Sequence, residues 1–323
     1  MCRLEDNTGM NIVIFSPKND FSASQQKQLQ EAGSVTYCDP PMEHPKDYFI
    51  QLAKDADIIG IDPDNFGGFE GANKKVTSVL EQLQNVKGVA LSTTSFGWID
   101  REYCRQRNID VTNIPGYSRE SVAEHTLALL LCLAKRIIIT DRRTQRGEYK
   151  MEKGFELKGK TLGIVGIGNI GTRLAELAVG IGMKVIAYNR SPKKISGVTM
   201  KALDDVLSES DAIAFHVTHE EANMKMIKTR EIALMKPGVI VVNTADRGIV
   251  DEAALADALK TGHVYGYAYE GSDLDHTPLS GIESAIGLKG FGWYTNESLE
   301  NLYQIWVDSL VALAKGTPIN VIN

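Results

Sequence analysis

Apolar residues fall along this chain in short clusters of four or five, separated by longer stretches in which they recur every three or four positions. Clusters of the first kind read as buried strands and the second kind as helices packed on them. In the first third the pattern predicts strands over 12–15, 35–38, 58–61, 88–91 and 110–113, with helices over 24–32, 45–55 and 75–84 between them. Strands alternating with helices imply a parallel sheet covered on both faces. A long helix is then expected from about residue 118, with Ser121 and Glu124 in capping-box spacing. Its stretch 127–134 is apolar on every face, which predicts burial all round, between domains or in a subunit interface. The alternation resumes with strands at 161–165, 184–188, 212–216, 239–242 and 264–268, and with helices at 172–180 and 252–260. Asp251 is placed to cap the second of these helices. The last helix is expected over 298–314, ending before Gly316-Thr317-Pro318.

Length and charge narrow the picture. A chain of 323 residues predicts two domains. A hydrophobic content of 43%, a net charge of −6 and a pI near 5.6 describe a globular protein with a core and with no basic face for nucleic acid. Residues 1–10 read as a disordered leader, acidic where a signal peptide is basic, with Met10 a candidate start. No apolar run is long enough to span a bilayer. Cys2, Cys38, Cys104 and Cys132 have no paired spacing, so neither a metal site nor a disulfide framework is indicated and a cytoplasmic location is expected.

The most informative stretch is 157–192. A strand breaks at Gly166-Ile167-Gly168-Asn169-Ile170-Gly171 and runs into a helix and a second strand. In that context the three glycines have separate jobs. Gly166 allows the turn, Gly168 lets a pyrophosphate approach the backbone, and Gly171 lets the helix pack on the sheet. The helix N-terminus offers unpaired N–H groups to the phosphates. Dinucleotide binding follows. The second strand ends Asn189-Arg190-Ser191, with Lys193 and Lys194 beyond, where an NAD site carries a carboxylate for the ribose 2′-hydroxyl. Arg190 can grip a 2′-phosphate in bidentate fashion, so NADP(H) is favoured and NAD(H) is possible; a solvated basic turn is the alternative reading. The turn-rich loop 62–68 follows a strand's carboxyl end, where α/β ligands bind, and reads equally as a surface loop.

The segments VTNIPGYSRESVAEHTLALLL at 111–131, LMKPGVIVVNTADRGIVDEAALADALKTGHVYGYA at 234–268 and GWYTNESLENL at 292–302, with the glycine stretch, resemble the D-isomer-specific 2-hydroxyacid dehydrogenase family over nearly the whole chain. The resemblance implies an α/β fold of two Rossmann-like domains with parallel sheets, the substrate domain discontinuous. It implies a substrate (catalytic) domain from 1–100 and 297–323, an NAD(P)-binding domain from 101–296, and a homodimer. It also implies hydride transfer between nicotinamide and a hydroxy or keto compound, with cofactor contacts at Thr244, Ala245, His216 and Glu270 besides the glycine loop. Glu270 matches the family's nicotinamide-holding aspartate. A structural role, hydrogen-bonded at a strand end, is preferred for His216. His219 and His125 are read as bland, His125 as a satisfied core group.

That chemistry needs a cation for the substrate carboxylate, an acid/base group for the C2 oxygen, and a carboxylate to raise its pKa. At the matching positions stand Asp246, with Arg247 displaced by one, then Gly290, and finally Asp275 followed by His276. Two like charges about 4 Å apart repel by roughly 4 kcal/mol at an effective dielectric of 20, so Asp246 opposes binding of an ordinary 2-keto acid. The substrate loop is altered to Ser92-Thr93-Thr94-Ser95-Phe96-Gly97. Three readings follow. Arg247, Asp275 and His276, with Trp293 or Tyr294, re-form a catalytic site; or the protein binds dinucleotide without turnover, as a sensor or scaffold; or a non-redox reaction uses the bound nicotinamide transiently. The first is the expectation, with simple 2-keto acids as poor substrates.

Overall fold

The computed structural model describes residues 9–41, 43–191, 193–218, 223–271 and 274–323. The chain forms two compact units, one reaching Tyr117 and taking in Asn296–Asn323, the other Ser118–Thr295.

In the first unit, β1 (Met10–Ile14), β2 (Gly33–Tyr37), β3 (Ile58–Ile61), β4 (Gly88–Leu91) and β5 (Asp110–Thr112) make a parallel sheet in the order β2-β1-β3-β4-β5. Every residue of β3 and β4 is buried, as continuous apolar runs in a parallel sheet require. One face packs on α2 (Lys46–Leu52), α3 (Phe69–Leu80) and α4 (Arg101–Gln106), with Phe15, Phe49 and Phe66 at its centre. The other face takes α1 (Ala23–Ala32), capped by Ser22 and Gln25, and α11 (Asn296–Ala314). Trp306 of α11 is buried there and donates its indole N–H to the Ala90 carbonyl at 3.0 Å. Beside it Gly60 leaves the space, since a Cβ at that position would stand 3.1 Å from the indole ring. The chain's end lies along β5. Val321 bridges Thr112, the Ile322 N–H donates to the Val111 carbonyl, and the Asn323 side chain bonds Ile109 and Val111. Because β5 hydrogen-bonds along β4, this unit continues past residue 100 to Tyr117.

In the second unit, β6 (Thr161–Val165), β7 (Lys184–Tyr188), β8 (Val198–Met200), β9 (Ala212–Phe215), β10 (Val239–Asn243), β11 (Val264–Glu270) and β12 (Ala285–Leu288) make a seven-stranded parallel sheet in the order β12-β11-β10-β9-β6-β7-β8. Strand order reverses between β6 and β9, which places the ligand crevice of an open α/β sheet at their carboxyl ends. Buried side chains of α5 (Arg119–Ala134) and α7 (Asn169–Gly180) cover one face. Those of α8 (Leu203–Glu209), α9 (Thr229–Leu234) and α10 (Glu252–Thr261) cover the other. Asp251 caps α10 as expected, accepting from Ala253 and Ala254.

One expectation for α5 is corrected. Ser121 and Glu124 form no capping box: the cap residue is Ser118, without a side-chain cap bond, and the Ser121 hydroxyl is spent on the Gly292 carbonyl. Within a single copy of the chain Glu124, Ala128 and Leu131 are exposed along one stripe, so burial of that stripe would fall to a subunit interface. The sequence reading also passed over α4, α8, α9, β8, β12 and α6 (Ile137–Gln145), all short. Among the described residues no helix is long and apolar enough to cross a membrane.

Candidate active site

The glycine loop joins β6 to α7. Gly166 has φ +98°, and a Cβ on it would lie 2.6 Å from the His216 carbonyl at the end of β9. Gly171 faces the Gly166 carbonyl with no room for a Cβ, whereas a Cβ on Gly168 would meet open space. Two glycines are therefore required by packing and the third leaves the backbone approachable, which is the cradle a pyrophosphate needs. Asn169 and Ile170 form the first turn of α7 above it. The basic turn after β7 is stitched to this loop. Asn189 Oδ1 accepts the Ile167 N–H at 3.1 Å and its Nδ2 donates to the Ser191 carbonyl at 2.8 Å; Lys193 Nζ donates to the Ile167 carbonyl at 2.9 Å. Arg190 and Ser191 are exposed. Lys193 was not among the expected contacts, although its basic side chain is the one that closes over the loop.

At the end of β9 the His216 Nε2 is buried without a hydrogen bond, and burial pushes the imidazole down to about 4, so it is neutral near pH 7. The hydrogen-bonded strand-end role preferred for its side chain is therefore corrected. His219 lies outside the described residues. Thr244, past the end of β10, meets Thr126 of α5 through their hydroxyls at 3.0 Å, and the Ala245 N–H is held by the Asn243 side chain at 3.1 Å.

The next residues depart most from expectation. Asp246 caps a 3-10 turn, Arg247–Ile249, its Oδ1 accepting the Gly248 N–H at 2.6 Å. Arg247 lays its fork on Glu252, Nε to Oε1 at 2.7 Å and Nη2 to Oε2 at 2.8 Å, with its guanidinium carbon 5.5 Å from the centre of the Tyr269 ring. Its stem fills the space that a side chain on Gly271 would need. Asp275 and His276 are exposed on the loop after β11, His276 with φ +57°. Gly290 would meet nothing within 4 Å if it carried a Cβ. The Trp293 indole donates to the Gly290 carbonyl at 3.0 Å, and Tyr294 is largely exposed.

Glu270 ends β11, and its Oε1 accepts the N–H of Phe291 at 3.1 Å and of Gly292 at 2.9 Å. His125 Nε2 stands 3.2 Å from the same oxygen. The reading of His125 as a bland core group is thus corrected. The one signal in the sequence was the spacing, Ser121 and His125 lying four apart on one helical face; in the fold Ser121 meets the connector after β12 at Gly292 and His125 meets it at Phe291.

In the first unit the turn-rich loop 62–68 and the altered substrate loop 92–97 are tied down internally. Asn65 donates to the Phe15 carbonyl, the Ser92 hydroxyl donates to Asp62, and Thr94 donates to the Ile114 carbonyl. Burial pushes the Asp62 carboxyl up.

Residues 127–280 match the model of the D-isomer specific 2-hydroxyacid dehydrogenase, NAD binding domain. A glyoxylate reductase of Thermococcus litoralis is 35% identical over 262 residues, which are 76% of this chain and 79% of that one. The chain belongs to the D-isomer-specific 2-hydroxyacid dehydrogenase family. A hydroxypyruvate reductase of Blautia hydrogenotrophica is 31% identical across 92% of this chain and 94% of its own. An acyclic imino acid reductase solved in complex with NADPH and D-Arg superimposes with a TM-score of 0.83, covering 97% of this chain and all of that one at 25% identity. The second unit therefore carries the family's nicotinamide-dinucleotide-binding domain.

Proposed function

We propose that this protein is an NADP(H)-dependent oxidoreductase that transfers hydride between the nicotinamide and a hydroxy or keto compound through an atypical site, with NAD(H) the weaker alternative. The observation that carries the reading is the glycine cradle, closed at Gly166 and Gly171 and open at Gly168. When bound there, the nicotinamide supplies or accepts the hydride. Gly166, Gly168, Asn169, Ile170 and Gly171 hold the pyrophosphate, and Thr244, Ala245, His216 and Glu270 line the way to the nicotinamide. Asn189, Arg190 and Ser191, with no carboxylate among them, receive the ribose with its 2′-phosphate; the similarity to a reductase solved with NADPH supports this. The first unit takes the substrate-domain role. A homodimer is supported by the exposed Leu131, Ile137, Tyr149 and Met151 of the second unit. A cytoplasmic location is supported by Cys38, Cys104 and Cys132 being free thiols.

Proton transfer to the substrate oxygen falls to the loop carrying Asp275 and His276, since Gly290 has no side chain to offer. Arg247, bound to Glu252, anchors the base of that region. A second reading, dinucleotide binding without turnover, is favoured by the same commitment of Arg247 and by the bare Gly290. Calorimetric titration with NADPH and NADH, followed by absorbance assays with glyoxylate, pyruvate, hydroxypyruvate and a wider carbonyl panel, separates the two. NADPH is expected to bind more tightly, with Arg190→Ala narrowing the gap, and the three simple keto acids to turn over poorly. Ordinary turnover of any of them, on the order of 1–1000 per second, refutes the atypical site. Tight cofactor binding with no turnover across the whole panel favours the second reading.

A further inference from the structure

Glu270 carries an uneven load. Among the described residues, the two backbone N–H groups of the connector, from Phe291 and Gly292, bond to its Oε1, and the His125 ring nitrogen stands against the same atom. No protein donor among the described residues reaches Oε2. The residue is only 9% exposed, yet Oε2 is not one of the buried polar atoms left without a partner, so it keeps an opening through which a ligand donor can reach it. It ends β11, on the carboxyl edge of the sheet where α/β ligands bind, and Thr244 ends the neighbouring strand's turn beside α5.

The surroundings are built for this arrangement. Ser121, one turn before His125, fixes the Gly292 carbonyl at 2.5 Å, while Glu270 fixes the Gly292 N–H. Gly292 can sit there only because it lacks a side chain: a Cβ would stand 2.8 Å from His125 Cδ2 and 3.1 Å from Glu270 Oε2. The His125 Nε2 is buried and within 3.2 Å of Oε1, but the approach is bent and makes no straight hydrogen bond. Contacts of this kind tighten in a ligand complex.

We propose that His125 is a positioning residue for the nicotinamide end of the cofactor site. Together with the connector amides it saturates Oε1 of Glu270 and turns Oε2 toward an amide N–H donor, the carboxamide of the nicotinamide. This rests on the nicotinamide reading given above. Its chemistry differs from a general packing role, because only the half of the dinucleotide that carries the carboxamide feels it.

The test is calorimetric titration of the wild type, His125→Phe and His125→Gln with NADPH and with 2′-phospho-ADP-ribose, which lacks the nicotinamide. His125→Phe is expected to weaken NADPH by on the order of tenfold, the loss of one hydrogen bond to a charged group, and to leave 2′-phospho-ADP-ribose within about twofold. His125→Gln keeps an N–H donor and should recover most of the NADPH affinity. Hydrogen exchange at the Phe291 and Gly292 amides should quicken in His125→Phe and not in His125→Gln. Glu270→Gln, which keeps the shape, provides the same selective loss should His125→Phe fail to fold. Equal weakening of both ligands, or of neither, overturns the proposal. A wild type that binds neither ligand overturns the nicotinamide reading itself, and that result is visible without any variant.

Discussion

Removing the Arg247 guanidinium should destabilise the second unit and leave cofactor affinity nearly unchanged. The side chain is 22% exposed and Glu252 only 13%, with two N–H···O bonds at 2.7 and 2.8 Å. Breaking one side of a buried pair costs about 3–5 kcal/mol because the remaining charge is stranded. Partial exposure of the guanidinium discounts that to about 2–3 kcal/mol. Loss of the cation over the Tyr269 ring adds about 0.5–1 kcal/mol. Arg247→Ala should therefore cost about 3 kcal/mol, and at roughly 2–4 °C per kcal/mol for a unit of this size the melting temperature should fall by about 6–12 °C. In a double-mutant cycle with Glu252→Gln, the second substitution should cost far less once Arg247 is gone. Urea and thermal unfolding supply the stabilities, and calorimetry with NADPH supplies the control. A melting temperature that moves by less than about 1 °C while turnover of any substrate collapses would refute the argument and return Arg247 to the substrate.

Two further outcomes follow from the cofactor crevice. Gly171→Ala forces a Cβ into the Gly166 carbonyl, an overpacking of about 1–3 kcal/mol, so the NADPH dissociation constant should rise about tenfold or more while the far-ultraviolet circular dichroism of the fold persists; unchanged affinity would refute the cradle. His216 is held down to about 4 by burial, so the unfolded chain takes up its proton first as pH falls from its ordinary 6.5. Its contribution to stability is complete above about 6.5 and is lost progressively toward about 4; His216→Gln should flatten urea midpoints across that window, and an unchanged slope would refute the assignment.

The first sheet, five of the seven strands of the second and the glycine cradle were legible because they rest on local pattern: apolar runs of strand length, a turn that only glycine allows, and a helix that follows. Short polar elements such as α8 and α9 were not, because one or two turns carry too few apolar positions to show a period. The site was legible only in part. Ser121 looked like a helix cap because Glu124 stands three residues on, yet its hydroxyl meets Gly292, 171 positions away. Arg247 looked like a displaced substrate ligand; its partner Glu252 lies five residues along, but it is the space left by Gly271 that seats the side chain there. His125 looked inert because neither Glu270 nor Gly292 is near it in sequence. Only at Ser121 does a near partner in the sequence stand in for a distant one in the fold; Arg247 pairs locally, and the partners of His125 are too far along the chain to show.

The C-terminal residues laid along β5 have a consequence for how the protein behaves in concentrated solution. β5 is the outer strand of its sheet, and an uncovered outer strand is a template on which another chain can add by backbone pairing. Here the Ile322 N–H and the Asn323 amide occupy the acceptors of Val111 and Ile109 and the donor of Val111, and the Asn113 N–H donates to the Asn320 carbonyl. In the other sheet, Arg142 reaches the Ala285 carbonyl of the outer strand β12 at 3.4 Å, and the opposite margin, β8, has only three residues. Resistance to aggregation is thus vested in a few terminal and surface side chains, and a fusion or trimming at residues 321–323 would disturb it without touching the core.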